Sequence, residues 1–248
     1  MLIDLNDMEL TEKEILRISE TIDMIPQDVS SMLEVGCGDG RVSNFLPEKI
    51  KATGFDIDRE KIKHYPGNKI IADISKIPLK QNTFDLVLIT EVLEHLDDEI
   101  YNSALSEILR ITKQYILITV PFNETLSANW DKCSGCGRIF HAWGHIRKFN
   151  GKILKNLFEN AALLKTQILS PKETWIPSIF YKIAKKLGKA WGTNPQNPTL
   201  CPICGFNSLH STGNLFGKIF IRFLWRFEKY SPFKKPIWIG CLYEKNIH

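Results

Sequence analysis

The chain has no run of about 18 apolar residues, so no helix of it is expected to cross a membrane. Its opening residues, MLIDLNDMEL, are acidic and carry no basic-then-apolar leader, which argues against an export signal and for a cytoplasmic location. Charge of one sign is scarce as well. The net charge of +4 is too mild to point to nucleic acid by itself. Neither an internal repeat nor a low-complexity tract occurs, which excludes an array architecture. Cysteine is sparse but ordered. Four of the six stand in two C-x-x-C pairs, Cys133/Cys136 and Cys201/Cys204, and without an export signal this favours a metal over disulfides. What is present, 248 residues of which 44% are hydrophobic and 24% charged, suits a single domain with an ordinary core and an elaboration.

The rest of the chain is organised around Leu33 to Leu46, LEVGCGDGRVSNFL. Apolar residues lead into Gly36-Cys37-Gly38-Asp39-Gly40, and Val42, Phe45 and Leu46 follow at helical spacing. The pattern predicts a strand over 32–36, a glycine turn, and a helix over 41–46. So tight a turn needs residues that tolerate positive φ and carry no Cβ where a ligand lies against the backbone. The G-x-G-x-x-G spacing of a pyrophosphate-gripping dinucleotide site is missing. Glu34, two residues ahead of the first glycine, suits a ligand bearing an amino group better than a phosphate.

Further strands are expected at 51–56, 69–72, 84–90, 115–120, 164–169 and 236–243, with helices at 8–25, 98–111 and 150–162. The continuous apolar runs 84–90 and 115–120 are typical of strands buried on both faces. Alternating strands and helices imply an α/β fold, a doubly wound, mostly parallel seven-stranded sheet. Insertions follow strands five and six, at 122–149 and 170–235, and residues 1–30 form a helical lead-in. Asp56 ends the second strand 20 residues after Gly36, where a carboxylate accepts both ribose hydroxyls of an adenosine ligand. Ile57 is placed to pack on the adenine face, and Asp73 to take its amino group. All sit at the carboxyl edge, where open α/β sheets bind ligands.

Taken in order, Glu34-Val-Gly-Cys-Gly-Asp-Gly40, Asp56, Ala72-Asp73-Ile74 and Phe84-Asp-Leu-Val-Leu-Ile-Thr-Glu-Val-Leu-Glu-His-Leu96 resemble the class I S-adenosylmethionine-dependent methyltransferases. The resemblance covers residues 10–170 and the last strand. It implies that Gly36 and Gly38 approach the methionine part, that Asp56 holds the ribose, that Asp73 and Ile74 hold the adenine, and that Glu91 contacts the cofactor from beneath. The sulfonium carries its own leaving group, so catalysis is mainly positioning of acceptor and methyl. An oxygen acceptor also needs a base, for which His95, His141 and His145 are the candidates. No Asn/Asp-Pro-Pro-Tyr stretch follows the fourth strand, which weakens methylation of a nucleobase amino group. Gly144-His145-x-Arg147-x-Phe149 resembles a family segment after strand five that covers the active site.

Cys133-x-x-Cys136-Gly and Cys201-Pro-x-Cys204-Gly each resemble a zinc knuckle, and two knuckles complete a tetrahedral thiolate site. Sixty-four residues separate them, more than a compact ribbon uses, but both loops leave the carboxyl edge if strand seven is antiparallel. One structural Zn(II) stapling the two insertions into a lid over the acceptor is therefore expected. Free thiols or a redox pair are the other readings. In the second insertion, 178–192 and 215–230 pair basic residues with large apolar ones at helical spacing, with Ile179, Ile183, Leu187 and Trp191 on one face. Such helices pack as a cap, lie on an anionic membrane, or bind RNA. The whole reads as a methyltransferase for a small-molecule, sugar, glycan or lipid-linked acceptor, cytoplasmic with peripheral membrane contact. An rRNA or tRNA methyltransferase is the alternative enzyme, and a zinc-bearing interaction module without activity the alternative of another class.

Overall fold

The structure, a computed structural model, describes residues 10–170, 172–188, 199–208, 214–228 and 230–246. Its contacts divide the chain into two units, Met1–Phe122 with Phe149–Pro171 and Pro236–His248, and Asn123–Lys148 with Lys172–Lys235.

The first unit opens with α1 (Glu12–Ile22), shorter than the 8–25 pattern because its ends are set by caps. Thr11 Oγ1 accepts from Glu14 N at 3.3 Å while Glu14 Oε2 accepts from Thr11 N at 2.9 Å, a reciprocal capping box. Seven strands follow: β1 (Ser31–Val35), β2 (Lys51–Asp56), β3 (Asn68–Ile71), β4 (Phe84–Thr90), β5 (Thr112–Pro121), β6 (Ala161–Leu169) and β7 (Trp238–Lys245). They form one sheet in the order β3-β2-β1-β4-β5-β7-β6. Only β7 runs against its neighbours. β4 is the central strand, and Leu86 to Ile89 are all 0% exposed, each side chain contributing about 2 kcal/mol of apolar burial. α2 (Asp98–Ile111), capped by Asp97, buries Ala104, Ile108 and Ile111 against one sheet face. Met32, Leu86, Leu88 and Leu117 pack on the other face with Ile18 and Ile25.

Two expected helices are cut short. After the glycine turn only a 3-10 turn, Ser43–Phe45, forms, and Leu46 is already extended at φ −70°, ψ 145°. Pro47 is the cause, because its ring disfavours the α region for the residue before it. The helix expected over 150–162 is a five-residue α3 (Gly151–Lys155). Asn156 ends it by turning its Nδ2 back onto Lys152 O at 2.9 Å, the side-chain bond by which asparagine competes with helix.

β5 ends at Pro121, directly opposite Trp238 at the start of β7, and Trp238 is in turn opposite Leu169 at the end of β6. The chain thus leaves and rejoins the first unit at the carboxyl edge of the sheet.

In the second unit, Trp130–Lys132 pairs with Ile139–His141 around the first cysteine pair, and Thr199–Leu200 with Asn207–Ser208 around the second. Two helices, α4 (Ser178–Gly188) and α5 (Leu215–Glu228), pack through Ala184 and Ile221. Lys185 Nζ donates to Ser127 O and Ala128 O at 2.8 and 3.0 Å, pinning α4 to the turn at Leu126–Asn129. The shared face of Ile179, Ile183, Leu187 and Trp191, left open between core, membrane and RNA, is not the one packed on α5. Ile179 and Leu187 are exposed, Ile183 is half-buried, and Trp191 lies outside the described residues. Small Ala184 takes the seam instead because it lets the two backbones approach.

Candidate active site

The bend after β1 and the tip of β2 are joined by one carboxylate. Asp56 Oδ2 accepts from Gly38 N at 2.8 Å, and its Oδ1 accepts from Asp58 N at 2.8 Å. Both oxygens are therefore fixed in direction while keeping lone pairs for further donors. Gly38 has φ +52°, and a Cβ built on it would meet nothing within 4 Å. Gly36 differs. At φ +70°, its missing Cβ would sit 2.2 Å from Val92 Cγ2, so that glycine serves the packing of the loop after β4. The two glycines expected to approach a ligand together thus split their work: Gly38 faces open space and Gly36 faces the fold.

Glu34, expected near a ligand amine, has its carboxyl 1% exposed and takes the Ser43 hydroxyl, which in turn contacts Tyr65 Oη at 2.6 Å. Burial pushes its pKa up from 4.5 to about 7, although the Ser43 bond pulls the other way. A carboxyl whose folded value lies above its unfolded one stabilises fully below about 4.5 and loses that contribution as pH rises toward about 7. The loss amounts to about 3 kcal/mol. Glu34→Gln should remove it: between pH 5 and 7 the urea midpoint of the parent falls more steeply than that of the variant. Equal slopes would refute the assignment.

Glu91 is held from two sides. Its Oε2 accepts from Trp238 Nε1 at 2.8 Å, Arg17 Nη1 lies 3.5 Å from Oε1, and the Arg17 guanidinium stands 5.2 Å from the Trp238 ring centre. Its backbone is left-handed at φ +55°, where a β-carbon is strained. Ile57 is 67% exposed at the tip of β2, as a residue awaiting a flat ligand face would be. Asp73 is exposed and accepts from Ser75 N at 2.7 Å; the Ser75 side chain first, and then this backbone bond, hold its carboxyl below the usual range. The Ile74 side chain is buried in the main core with Ile77, which leaves its backbone for any contact at this edge. His95 is exposed on the 3-10 turn Leu93–His95.

A family profile described as a methyltransferase domain matches residues 7–167. The chain belongs to the class I S-adenosylmethionine-dependent methyltransferases. An uncharacterized protein of Methanocaldococcus jannaschii is 33% identical over 177 residues, 66% of this chain and 74% of that protein. A solved S-adenosylmethionine-dependent methyltransferase from Archaeoglobus fulgidus superposes with a TM-score of 0.53 at 16% identity, over 94% of this chain and 95% of that one. One from Methanosarcina mazei gives 0.52 at 14% identity, over 90% and 95%. At such identities the structures speak for the fold.

S-adenosylmethionine is the cofactor the family implies, and the methyltransferase fits it. Gly38 leaves room against the backbone, Asp56 presents two oriented oxygens for a diol, and Ile57 offers an apolar surface next to them.

In the second unit the four cysteines converge, with all four Sγ within 4.8 Å of one another. Cys133 Sγ lies 3.5 Å from Cys204 Sγ and Cys136 Sγ lies 3.8 Å from Cys201 Sγ. A disulfide needs about 2.05 Å. A tetrahedron of sulfurs around Zn(II) at about 2.3 Å has edges of about 3.8 Å. The two turns copy each other: Gly137 N donates to Cys133 O and Gly205 N to Cys201 O, both at 2.9 Å, with φ of +73° and +68°. Cys136 N donates to Cys133 Sγ at 3.4 Å, and this backbone bond brings the Cys133 thiol down to about 7.

A second cluster in this unit contains a residue the sequence did not flag. Glu124 accepts from His145 Nδ1 at 2.6 Å through Oε2, and His141 Nε2 lies 3.3 Å from its Oε1. Burial raises the Glu124 pKa, but the imidazoles of His141 and His145 outweigh it and hold the carboxylate well below its usual range. His141 Nδ1 accepts backbone N–H groups from Trp143 at 3.3 Å and His145 at 3.1 Å, so its proton is on Nε2, toward Glu124. The two rings stack at 4.8 Å. His141, expected as a catalytic candidate, accepts two backbone N–H groups at Nδ1, and its buried Nε2 lies 3.3 Å from Glu124 Oε1 without forming a hydrogen bond. Glu124 left no signal in the sequence because a lone carboxylate in a loop belongs to no spacing rule.

Proposed function

We propose that this methyltransferase carries the methyl group of S-adenosylmethionine to an oxygen of a small hydroxylated acceptor, a sugar or a glycan or lipid-linked intermediate. One structural Zn(II) on Cys133, Cys136, Cys201 and Cys204 organises its second unit in this reading. The observation that carries the oxygen acceptor is Glu124 between His141 and His145. A hydroxyl has to lose a proton as it is methylated, whereas an amine accepts the methyl through its lone pair. Bound at the β1–β2 edge, the cofactor supplies an activated methyl with its own leaving group. Glu124 is ionised and accepts from His145 Nδ1, so the second unit holds a carboxylate–imidazole pair of the kind that takes a proton from a hydroxyl, the carboxylate stabilising the imidazolium that forms. The run Glu91-Val-Leu-Glu-His95 after β4, where an amino-directing Asn/Asp-Pro-Pro-Tyr would stand, supports the same choice.

Release of S-adenosylhomocysteine with glycosides and nucleotide sugars as acceptors tests this. Glu124→Gln is expected to lower turnover about 100-fold with cofactor affinity unchanged, and to move the acidic limb of the pH–rate profile. Turnover untouched by Glu124→Gln, or turnover with RNA or amines alone, overturns the reading.

A further inference from the structure

α4 and α5 meet through one face each and leave the opposite face uncovered. Among the described residues of α5 the buried positions are Gly217, Ile221 and Leu224. Leu215, Ile219, Phe223 and Phe227, spaced four apart, are exposed by 75, 58, 52 and 48%. With Phe216 they occupy an arc of about 120° at 100° per residue. On α4, Ala184 is buried while Ile179, Phe180 and Leu187 are exposed. A contiguous run of exposed large apolar residues beside charged ones marks a site of interaction.

The charges beside this apolar face are all of one sign. Lys182 and Lys186 on α4 and Arg222 and Arg226 on α5 are exposed within or beside the same arcs. α4 contains no acidic residue, and α5 contains only its last one, Glu228. No helix among the described residues is long and apolar enough to cross a bilayer. At 11 and 14 residues the pair is suited to lie flat. Aliphatic side chains such as Leu215 and Ile219 find no stacking partner in a nucleic acid, whereas an acyl boundary accepts them together with phenylalanine.

We propose that the α4–α5 face of the second unit is an interfacial membrane-docking surface, selective for bilayers rich in anionic phospholipid. It rests on the second unit alone and does not depend on the methyl-transfer chemistry. Flotation of the full chain with extruded vesicles tests it. The protein is expected to float with vesicles rich in phosphatidylglycerol and to stay behind with phosphatidylcholine alone. Ile219→Ser with Phe223→Ser removes exposed groups, leaves the core intact by circular dichroism, and abolishes flotation. Arg222→Gln and Arg226→Gln each weaken vesicle binding about fivefold, the equivalent of about 1 kcal/mol per cation near such a surface. Absence of flotation, or flotation equal in the Ile219/Phe223 variant, overturns the proposal. So does a solution dimer that this variant turns into a monomer, which assigns the face to a second copy. Retention on poly(U) without vesicle binding overturns it in favour of RNA.

Discussion

Asp56→Ala is expected to lower the affinity for S-adenosylmethionine by about 10²- to 10⁴-fold. A carboxylate gripping a ribose diol makes two charge-assisted hydrogen bonds, each contributing about 1.5–3 kcal/mol. The site is prepared for this: Gly38 N and Asp58 N each hold one oxygen at 2.8 Å, so no rotamer freedom is lost on binding. Asp56→Asn keeps one acceptor oxygen and should fall about midway between parent and alanine variant. Asp56 is only half-buried, so the unliganded variants retain most of their thermal stability. What disappears is the rise in Tm on adding cofactor, because that rise follows the logarithm of ligand concentration over Kd. Calorimetric titration with S-adenosylmethionine reads the affinity directly. An Asp56→Ala chain that binds as tightly as the parent would remove the ribose grip, and with it the assignment of the β1–β2 edge. A larger side chain at Gly38 should mimic the loss for another reason: it fills the open space and strains a backbone held at φ +52°.

The elements that the sequence shows plainly are those whose local signal and tertiary role agree. Leu86 to Ile89 is an unbroken apolar run because both of its faces are covered, and the bounds of the strand around it, Phe84–Thr90, are legible to the residue. Asp56 could be placed from its spacing because the tip of a parallel strand beside a glycine bend has few uses. The helices after the bend and before β6 were overstated because apolar spacing says nothing of Pro47 or of the Asn156 side chain, which decide where the backbone leaves the α region. What the apolar face of α4 meets was left open by the sequence for a related reason. Periodicity shows that Ile179 and Leu187 share a stripe, but a stripe facing solvent has the same period as one facing a core. Glu34 was legible as part of a motif and not as a buried acid, since Ser43, which bonds it, stands 9 residues further on and Tyr65, which encloses it, another 22. Glu124 was illegible altogether. Its meaning comes from two imidazoles brought to it by the ribbon ending at His141.

Loss of the metal should unfold the second unit and spare the first. The parent chain, purified without chelator, is expected to carry one zinc, and Cys201→Ser to carry none. The separations of 3.5 and 3.8 Å between facing sulfurs already match the edges of a zinc–thiolate tetrahedron, so binding requires little rearrangement. Four thiolates brought this close without a cation repel one another, which makes metal binding and folding of this unit one process. Structural zinc in small domains contributes on the order of 10 kcal/mol, more than the small cluster of Cys133, Phe140 and Cys201 can replace. Phe206 reports the collapse locally: its ring fills the space a Cβ on Gly135 would need, 2.9 Å away, and so joins the second turn to the first. Cobalt(II) in place of zinc should show the thiolate charge-transfer and d–d bands of a tetrahedral sulfur site, and Cys201→Ser should lose them. Gly38 and Asp56 lie in the first unit, so cofactor titration of Cys201→Ser should return the parent affinity even as far-UV dichroism reports lost structure. Equal zinc in the parent and in a chain with all four cysteines changed to serine would refute the site. Fewer free thiols than six under oxidising conditions, with no metal bound, would instead assign the four sulfurs to disulfide chemistry.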